Sequence, residues 1–485
     1  MKRPGDRPRA LLVAYCFPPV GGAGVQRPVK WVKYLERAGW DVTVLTPSNP
    51  SVPALDESLC ADVPAGTKIL RARTLEPAYD VKRSVAGSAA GGAAWSAPFR
   101  WARSAAVRVA KTVLQPDPQV LWYPAAVREA AHHLERVPHD VVVCTAPPYS
   151  AFFIGQAIKR RFGIPLVLDY RDEWDLTGKY LENVPRDVVS RVVQEQQQRA
   201  LLRASDAVIA TTQASLDQLG ERIRAVGGSA RQVCIYNGYD AEDFAAPHAP
   251  APEVPRTNRF RLVYCGTLWN LTTIEPVVEA ALAVHRASPA LLENLELVVV
   301  GRKTPEQERI LARMAVTSCE VKNLAYCEHQ TALAWVRSSS ALCLLLSDVP
   351  GAERVVPAKL FEYLAARKEM LSVLPDGEAS RIARRFQPAG CFRPGDVDGI
   401  GRWLAERLAG APSADAPPKS QERTRAAGED IEEFSRERQT GRLVALLDDL
   451  VSPGGQGAKG APRTSAADIR SAMSSEPRSP KWQSS

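Results

Sequence analysis

The sequence has few residues that bind metal ions and no pattern that predicts a cross-linked fold. It contains six histidines, and its nine cysteines include no C-x-x-C pair. No H-E-x-x-H motif or paired Cys/His spacing is present, so the sequence predicts no metal site. Because several cysteines lie inside apolar runs, we interpret them as reduced core residues and not as a disulfide framework.

Long hydrophobic runs are also missing. No stretch approaches the ~18 consecutive apolar residues that predict a membrane span. The basic start, MKRPGDRPR, leads into a short apolar run without a small-residue cleavage site, which argues against a signal peptide. No G-x-S-x-G elbow indicates a serine hydrolase. Together with the reduced cysteines, the lack of a predicted membrane span and signal peptide favours a cytoplasmic protein.

The bulk composition is that of a globular protein. The chain has 485 residues, 45% of them hydrophobic and 24% charged, with a net charge of +8. This length predicts about two or three domains with a sizeable core. The positive charge suits nucleic acid, an anionic membrane or a phosphorylated substrate, and charge alone does not choose among these partners.

Short apolar runs alternate with helical patterns along most of the chain. Continuous apolar strands between helices predict parallel sheets that are covered on both faces. The alternation breaks once, at a Pro-rich segment, so we predict an α/β fold with two doubly wound domains that face each other across a cleft. The predicted parts are a flexible N-terminus (1–8), a first domain (9–245), a linker (246–258), a second domain (259–429), a closing helix (430–450) and a disordered tail (451–485).

A glycine-rich loop, CFPPVGGAGVQRPVKW, follows the first predicted strand. It lacks the Gly-Lys-Ser/Thr of a P-loop, and Arg27 stands where a dinucleotide fingerprint needs its third glycine. If Pro28 lies in the first turn of the next helix, the backbone N–H groups of residues 22–27 can face an anion. A plain turn from strand to helix remains the alternative.

Two further segments place charges where parallel strands end. In VLDYRDEWD, residues 167–175, Asp169 and Arg171 share one side of a strand end, and they predict either a cleft site or a structural salt-bridge cluster. In VVPAKLFEYL, Lys359 and Glu362 lie on one helix face, and they suit a phosphate and a ribose or form an ordinary surface pair.

Two other charged patterns have simple structural explanations. Asp396 and Asp398 form a D-x-D, which sometimes holds a manganese-bound sugar nucleotide, but their sequence context favours the start of a helix. Residues 98–114 read as a basic amphipathic helix that either contacts an anionic membrane or packs on its own domain.

Over about residues 9–450, the chain resembles the family-4-like glycosyltransferases of GT-B fold. The matching segments, in order, are FPPVGGAGVQRP with LERAGWDVTVLT, GIPLVLDYRDEW, ASDAVIATTQASLDQLG, IYNGYDAEDF, VYCGTL and KLFEYLAARKEML. The resemblance implies a nucleotide-diphosphate sugar bound mainly by the second domain and an acceptor mainly on the first. It also implies transfer with retention, no metal or other cofactor, and a last helix that crosses back to the first domain.

The resemblance also implies roles for individual residues. Gly22 and Gly24 border the donor phosphates or the acceptor, and Glu362 lies at the donor ribose. The expected catalytic residues are Arg171, Asp172, Lys359 and Glu362; the expected donor-binding residues are Gly22, Gly24, Thr267, Arg302, Lys359 and Glu362; the expected acceptor-side residues are Gly21, Arg27, Asp169 and Trp174. We expect a glycan or polyprenyl-linked acceptor and a cytoplasmic location at the inner face of the plasma membrane, and we expect no nucleic-acid partner.

Three departures from the family pattern concern charge at the donor site. The first acidic position of the E-x7-E signature is Arg354, the usual strand-end histidine is Arg171, and the Arg and Lys of the diphosphate clamp fall at Thr267 and Thr272. Arg171, Arg354 and Lys359 are candidates to restore the positive charge. The alternatives are a catalytically silent GT-B protein that binds a glycan or a partner enzyme, and a sugar-nucleotide epimerase, for which His329 is the one histidine in a plausible cleft loop.

Overall fold

A computed structural model describes residues 7–79, 114–176, 188–245, 254–410 and 431–452. Three segments for which the sequence made predictions lie wholly or mostly outside these described residues. These are residues 98–113 of the basic segment, residues 246–253 of the linker and residues 453–485 of the tail.

The first half of the described chain forms a seven-stranded sheet in the order β3-β2-β1-β4-β5-β6-β7, with parallel pairs throughout. The strands are β1 (Arg9–Ala14), β2 (Asp41–Pro47), β3 (Lys68–Ala72), β4 (Val141–Ala146), β5 (Leu166–Tyr170), β6 (Ala207–Ala210) and β7 (Arg231–Cys234). The helices are α1 (Ala23–Arg37), α2 (Tyr123–Leu134), α3 (Ser150–Phe162), α4 (Val188–Ala204), α5 (Gln213–Ala225) and α6 (Ala241–Phe244), with 3₁₀ turns at Glu57–Asp62 and Pro118–Trp122.

The second half forms a six-stranded parallel sheet in the order β10-β9-β8-β11-β12-β13. The strands are β8 (Phe260–Cys265), β9 (Leu295–Val300), β10 (Glu320–Leu324), β11 (Ala341–Leu345), β12 (Glu369–Val373) and β13 (Cys391–Phe392). The helices are α7 (Glu275–Ala287), α8 (Pro305–Ala312), α9 (His329–Ser338), α10 (Lys359–Ala365), α11 (Glu378–Phe386) and α12 (Val397–Ala409). Short 3₁₀ turns lie at Pro289–Asn294, Arg313–Val316, Ala352–Arg354 and Pro388–Gly390.

The strand order confirms the expected α/β class with two doubly wound sheets. In each sheet the central strands are buried along their whole length, as in β4 and β9. The order reverses between β1 and β4 in the first sheet and between β8 and β11 in the second. Ligands of open α/β sheets bind at such reversals, outside the carboxyl ends of the strands.

The last helix packs on the first domain, as the fold class predicted. A 3₁₀ turn (Ile431–Phe434) leads into α13 (Arg436–Val451), which begins six residues after the expected start at residue 430. Leu443, Leu446 and Leu447 of α13 are buried in a cluster with side chains of β1 and α1. Burial of this apolar stripe holds the end of the chain against the first sheet.

Gly238 permits the close approach of the returning chain. It has a φ of 69°, and a side chain there would collide with the carbonyl group of Phe434. Hydrogen bonds from Tyr239 N to Phe434 O (3.1 Å) and from Arg436 N to Tyr239 O (2.7 Å) join the two segments. The start of α13 is therefore fixed beside the chain that leaves the first domain.

The position of Pro28 differs from the prediction. Because α1 begins at Ala23, Pro28 lies inside the helix and not in its first turn. Proline has no N–H, so the carbonyl oxygen of Gly24 receives no helical hydrogen bond from residue 28. The side chain of Arg171 donates to this free carbonyl instead. By contrast, Asp396 caps α12 as expected and accepts a hydrogen bond from Gly399 N at 2.9 Å.

Two neighbouring histidines make the stability of the first domain sensitive to acid. His133 and His139 lie with ring centroids 5.3 Å apart, and the Nε2 atom of each is buried without a hydrogen-bond partner. Burial lowers the pKa of both imidazoles. A lowered folded-state pKa favours the neutral form, so stability is fully present above the ordinary pKa of about 6.5 and is lost as the pH falls below it.

The wild-type protein should lose free energy of unfolding between pH 7 and pH 5. We expect His139→Asn to lose less over the same range, as measured by urea denaturation at each pH. The matched control is His132→Asn, because His132 is exposed on the same helix as His133. An unchanged slope for His139→Asn would show that burial of His139 does not couple folding to pH.

Candidate functional site

The loops at the carboxyl ends of both sheets contact each other and form the walls of a cleft. Glu173, after β5, accepts two hydrogen bonds from the guanidinium of Arg354, after β11 (2.7 and 3.0 Å). Gly21, after β1, packs so closely on Tyr326, after β10, that a Cβ atom at Gly21 would lie 2.5 Å from the tyrosine hydroxyl. The cleft thus joins the two points where the strand order reverses.

A second contact between the domains involves Glu378, at the start of α11. Its carboxylate accepts hydrogen bonds from Gln213 N and Ala214 N, both at 3.0 Å, in the first turn of α5. The Tyr236 hydroxyl donates to the same carboxylate at 2.5 Å. A negative side chain of the second domain therefore satisfies the positive end of a first-domain helix.

Lys359 lies at the carboxyl end of the second sheet. Its Nζ donates to the Tyr264 hydroxyl at 2.7 Å and lies 4.0 Å from the centre of that ring. A side chain at Gly266, which has a φ of 147°, would collide with this ammonium group. Gly266 therefore leaves room for a cation beside the loop that follows β8, where a ligand phosphate can approach.

Glu362 lies one turn further along α10 and is half-buried. Within the described residues, no hydrogen bond or ion pair engages its carboxylate, and the alternative of a surface pair with Lys359 is not observed. Its charge nevertheless acts on His329, at the start of α9. Burial alone would lower the pKa of His329, but the hydrogen bond to Asp243 and the charges of Glu362 and Asp243 raise it.

Arg171 is engaged by the backbone of the first domain. Its guanidinium donates to the carbonyl oxygens of Gly24, Ala146 and Pro147. These contacts tie the ends of β4 and β5 to the start of α1. Arg171 is partly exposed at the cleft, and only the remaining N–H groups of its guanidinium can face a ligand.

The neighbours of Arg171 differ in exposure. Asp172 is exposed. The surrounding protein nevertheless reduces the hydration of its carboxyl group and thereby raises its pKa. Arg171 opposes this rise in pKa, whereas the negative charges of Asp169 and Glu173 add to it. Trp174, expected on the acceptor side, is instead buried, stacks on Tyr149 at 4.4 Å and donates to a glutamine of α4. Its position indicates a structural role in the first domain.

Arg27 and Asp169 form a buried ion pair. Their side chains are 2% and 0% exposed, and the guanidinium donates to the carboxylate at 2.8 and 3.1 Å. Arg27 also donates to the carbonyl oxygens of Ile235 and Tyr236, and Thr145 donates to Asp169 at 2.7 Å. These contacts account for both groups within the domain, so we assign them a structural role in place of the expected acceptor contact.

Thr267 and Thr272, which stand where the family has its diphosphate clamp, belong to one hydrogen-bonded turn. The Thr272 hydroxyl donates to Thr267 O at 2.7 Å, and the Tyr264 hydroxyl donates to the same oxygen at 2.9 Å. Thr267 is exposed, whereas Thr272 is buried. Arg302, expected at the donor, is exposed and donates to the Tyr79 hydroxyl of the first domain at 3.3 Å.

The glycine loop contributes its backbone to the cleft. Gly22 precedes α1 with a φ of 101°, a conformation that favours glycine. A Cβ atom at Gly24 would lie 2.8 Å from Arg171 Nη1. The small residues of this loop are therefore needed for close contacts with Tyr326 and Arg171.

Sequence reasoning missed a buried cation of the first domain, whose partner Asp243 also contacts His329 of the second domain. The Lys30 side chain is 0% exposed, and its Nζ lies 2.7 Å from Asp240, 2.9 Å from Asp62 and 3.1 Å from Asp243. These three carboxylates have the spacing of a metal site, but the Lys30 ammonium already lies among them, and Lys33 Nζ pairs with Asp240 at 2.7 Å. The position of Lys30 on the buried face of α1 could have drawn attention to it. Its partner Asp240 is distant in the sequence, so the ion pair itself could not be predicted.

Comparisons with known proteins agree with this architecture. Residues 21–238 match the family model described as the glycosyl transferase 4-like domain. No curated protein sequence is significantly similar to the chain. Within the described residues, no helix is long and apolar enough to cross a bilayer.

Several solved structures share the fold. Sucrose-phosphate synthase from Thermosynechococcus elongatus is 15% identical with a TM-score of 0.56, over 92% of this chain and 99% of that chain. Anabaena HepE, solved with UDP and glucose, is 13% identical with a TM-score of 0.56, over 91% and 99%. A UDP-forming trehalose-phosphate synthase from Burkholderia xenovorans is 13% identical with a TM-score of 0.55, over 92% and 100%.

The fold and the cleft define the class: the chain has the GT-B architecture of glycosyltransferases. Within it, residues 21–238 match the model of the glycosyl transferase 4-like domain. The resemblance inferred from the sequence is therefore confirmed.

Proposed function

We propose that the protein transfers a sugar from a nucleotide-diphosphate sugar to a glycan or polyprenyl-linked acceptor, with retention and without a metal. The observation that carries this proposal is the placement of Lys359 and Glu362 on one turn of α10. The Lys359 ammonium lies beside Gly266, and the Glu362 carboxylate has no partner among the described residues. A cation suits the leaving diphosphate, and a free carboxylate suits the ribose hydroxyls. The reported complexes of HepE with UDP and UDP-glucose support a nucleotide sugar as the donor.

The setting of this reaction is proposed from the family resemblance. We place the enzyme in cell-surface polysaccharide or glycoconjugate biosynthesis, in the cytoplasm at the inner face of the membrane. The basic segment 98–114 is the proposed membrane contact.

A second candidate function, a catalytically silent binding protein, is favoured by a specific observation. Two of the three cations proposed to rebuild the donor site are engaged by the protein: Arg354 pairs with Glu173, and Arg171 binds backbone carbonyls. A site with fewer free cations stabilises a leaving diphosphate less. The two candidates therefore differ in one property, which is turnover of the donor.

Release of nucleotide diphosphate without an acceptor separates these candidates. We expect the wild-type protein to hydrolyse one class of UDP-, GDP- or ADP-sugar slowly, as many transferases do, and Glu362→Gln to lose this activity. The matched control is Glu135→Gln, because Glu135 is exposed on the outside of the first domain. Binding of a sugar nucleotide without any release would support the silent protein.

A further inference from the structure

Arg436, the first residue of α13, has a buried and unpaired side chain. The residue is 5% exposed, and within the described residues no hydrogen bond or ion pair engages its guanidinium. Burying a cation without a partner is costly, and proteins normally pair such groups. An arginine kept in this state therefore points to a partner that arrives from outside the chain.

The surroundings of Arg436 place it where the two domains meet. Its backbone N–H donates to Tyr239 O, which fixes the residue beside the chain that leaves the first domain. Burial lowers the pKa of its guanidinium, the charges of Glu362, Asp243 and Asp240 oppose this effect, and Arg27 adds to it. Glu362 and Asp243 also act on His329, whose ring lies 3.5 Å from the Asp243 carboxylate.

The side chain of Arg436 is not completely sealed from solvent. None of its nitrogens is among the buried side-chain atoms that are both sealed from solvent and unpartnered within the described residues. A guanidinium presents its N–H groups in a flat fork that matches two oxygens of a phosphate. The geometry therefore suits a phosphoryl group that enters from the cleft.

We propose that Arg436 binds a phosphoryl group of the nucleotide-diphosphate donor. The identity of this ligand rests on the proposed function. Its side chain supplies positive charge that the usual clamp positions, Thr267 and Thr272, lack. Arg27, Arg171 and Arg354 are occupied by protein carboxylates or carbonyl groups. By contrast, Lys359 contacts a neutral hydroxyl, and Arg436 has no side-chain partner among the described residues, so both can meet the diphosphate.

A binding role and a structural role predict opposite effects on the ligand-free protein. If Arg436 held the fold together, its removal would destabilise the chain. If it waits for an anion, Arg436→Met removes a buried unpaired charge and keeps the aliphatic volume, so the ligand-free protein is at least as stable as the wild type. Stability gained at the cost of binding is typical of residues kept for function.

The test combines urea denaturation without ligand and calorimetric titration with inorganic pyrophosphate, UDP, GDP and ADP. For Arg436→Met we expect undiminished stability and at least ~10-fold weaker binding of pyrophosphate and of the preferred diphosphate, because a charge-assisted contact is lost. Arg436→Lys should recover part of the affinity. The control is Arg438→Met, because Arg438 is exposed on the same helix and pairs with Glu432.

Wild-type affinity in a folded Arg436→Met protein would overturn the inference, as would a destabilised variant whose folded fraction binds normally. If the wild type binds sugar nucleotides but Arg436→Met does so equally well, this inference fails and the proposed function stands. If pyrophosphate binds through Arg436 but no sugar nucleotide binds, the anion site is supported and the proposed function fails. Arg436-dependent binding of a sugar phosphate such as glucose 6-phosphate, without an effect on nucleotides, would overturn the assignment to the donor.

Discussion

Replacing Lys359 with alanine is expected to lower donor turnover by more than tenfold. As the glycosidic bond breaks, negative charge grows on the leaving nucleotide diphosphate, and a cation already in position stabilises it. Lys359 Nζ is held in place by the Tyr264 hydroxyl and occupies the space beside Gly266. A loss above about 1.4 kcal/mol of transition-state stabilisation gives a factor of ten, which steady-state release of nucleotide diphosphate would measure.

The contact between Lys359 and Tyr264 provides the matched control. Tyr264→Phe removes the hydroxyl that accepts from Lys359 but leaves the ring beneath the ammonium group. We expect this variant to keep most of the turnover, because the charge remains in place. If Lys359→Ala retained near-normal turnover, or if Tyr264→Phe lost as much as Lys359→Ala, the assignment of Lys359 to the diphosphate would be wrong.

Replacing Asp169 with asparagine is expected to destabilise the protein by about 3–5 kcal/mol, because it leaves the buried charge of Arg27 without its partner. The ion pair is almost completely buried, and Asp169 accepts one further hydrogen bond from the Thr145 hydroxyl. Urea denaturation monitored by circular dichroism would measure this change as a lower free energy of unfolding of the first domain.

An exposed ion pair of the same domain gives the control. Arg161 and Glu135 pair with side chains that are about half exposed, so Glu135→Gln should change the unfolding free energy by only about 0–1 kcal/mol. A similarly small effect of Asp169→Asn would contradict the structural role. A folded, stable Asp169→Asn protein with a raised KM for the acceptor would instead restore the acceptor contact expected from the sequence.

The fold could be predicted because its strands are continuous apolar runs. β4 and β9 are buried along their whole length, and such strands need no pairing information to be recognised. β3 cannot be recognised in this way, because it lies at the edge of the sheet and alternates buried with more exposed residues. β13 cannot either, because it has only two residues.

The site was only partly predictable, because its decisive contacts join distant segments. Lys359 and Glu362 could be proposed as site residues because helical spacing places both on one face of α10. Sequence spacing could not show that Asp169 binds Arg27, 142 residues away. The cleft position of Arg436 likewise depends on the return of α13 to the first domain, which brings the end of the chain beside Tyr239.

The proposal of a nucleotide-sugar site in the cleft is tested most directly by calorimetric titration of the purified chain with UDP-, GDP- and ADP-sugars. We expect one nucleotide class to bind, and we expect Glu362→Gln to weaken that binding through the ribose while Glu135→Gln leaves it unchanged. Failure of all three classes to bind, or equal binding by the wild type and Glu362→Gln, would contradict the account.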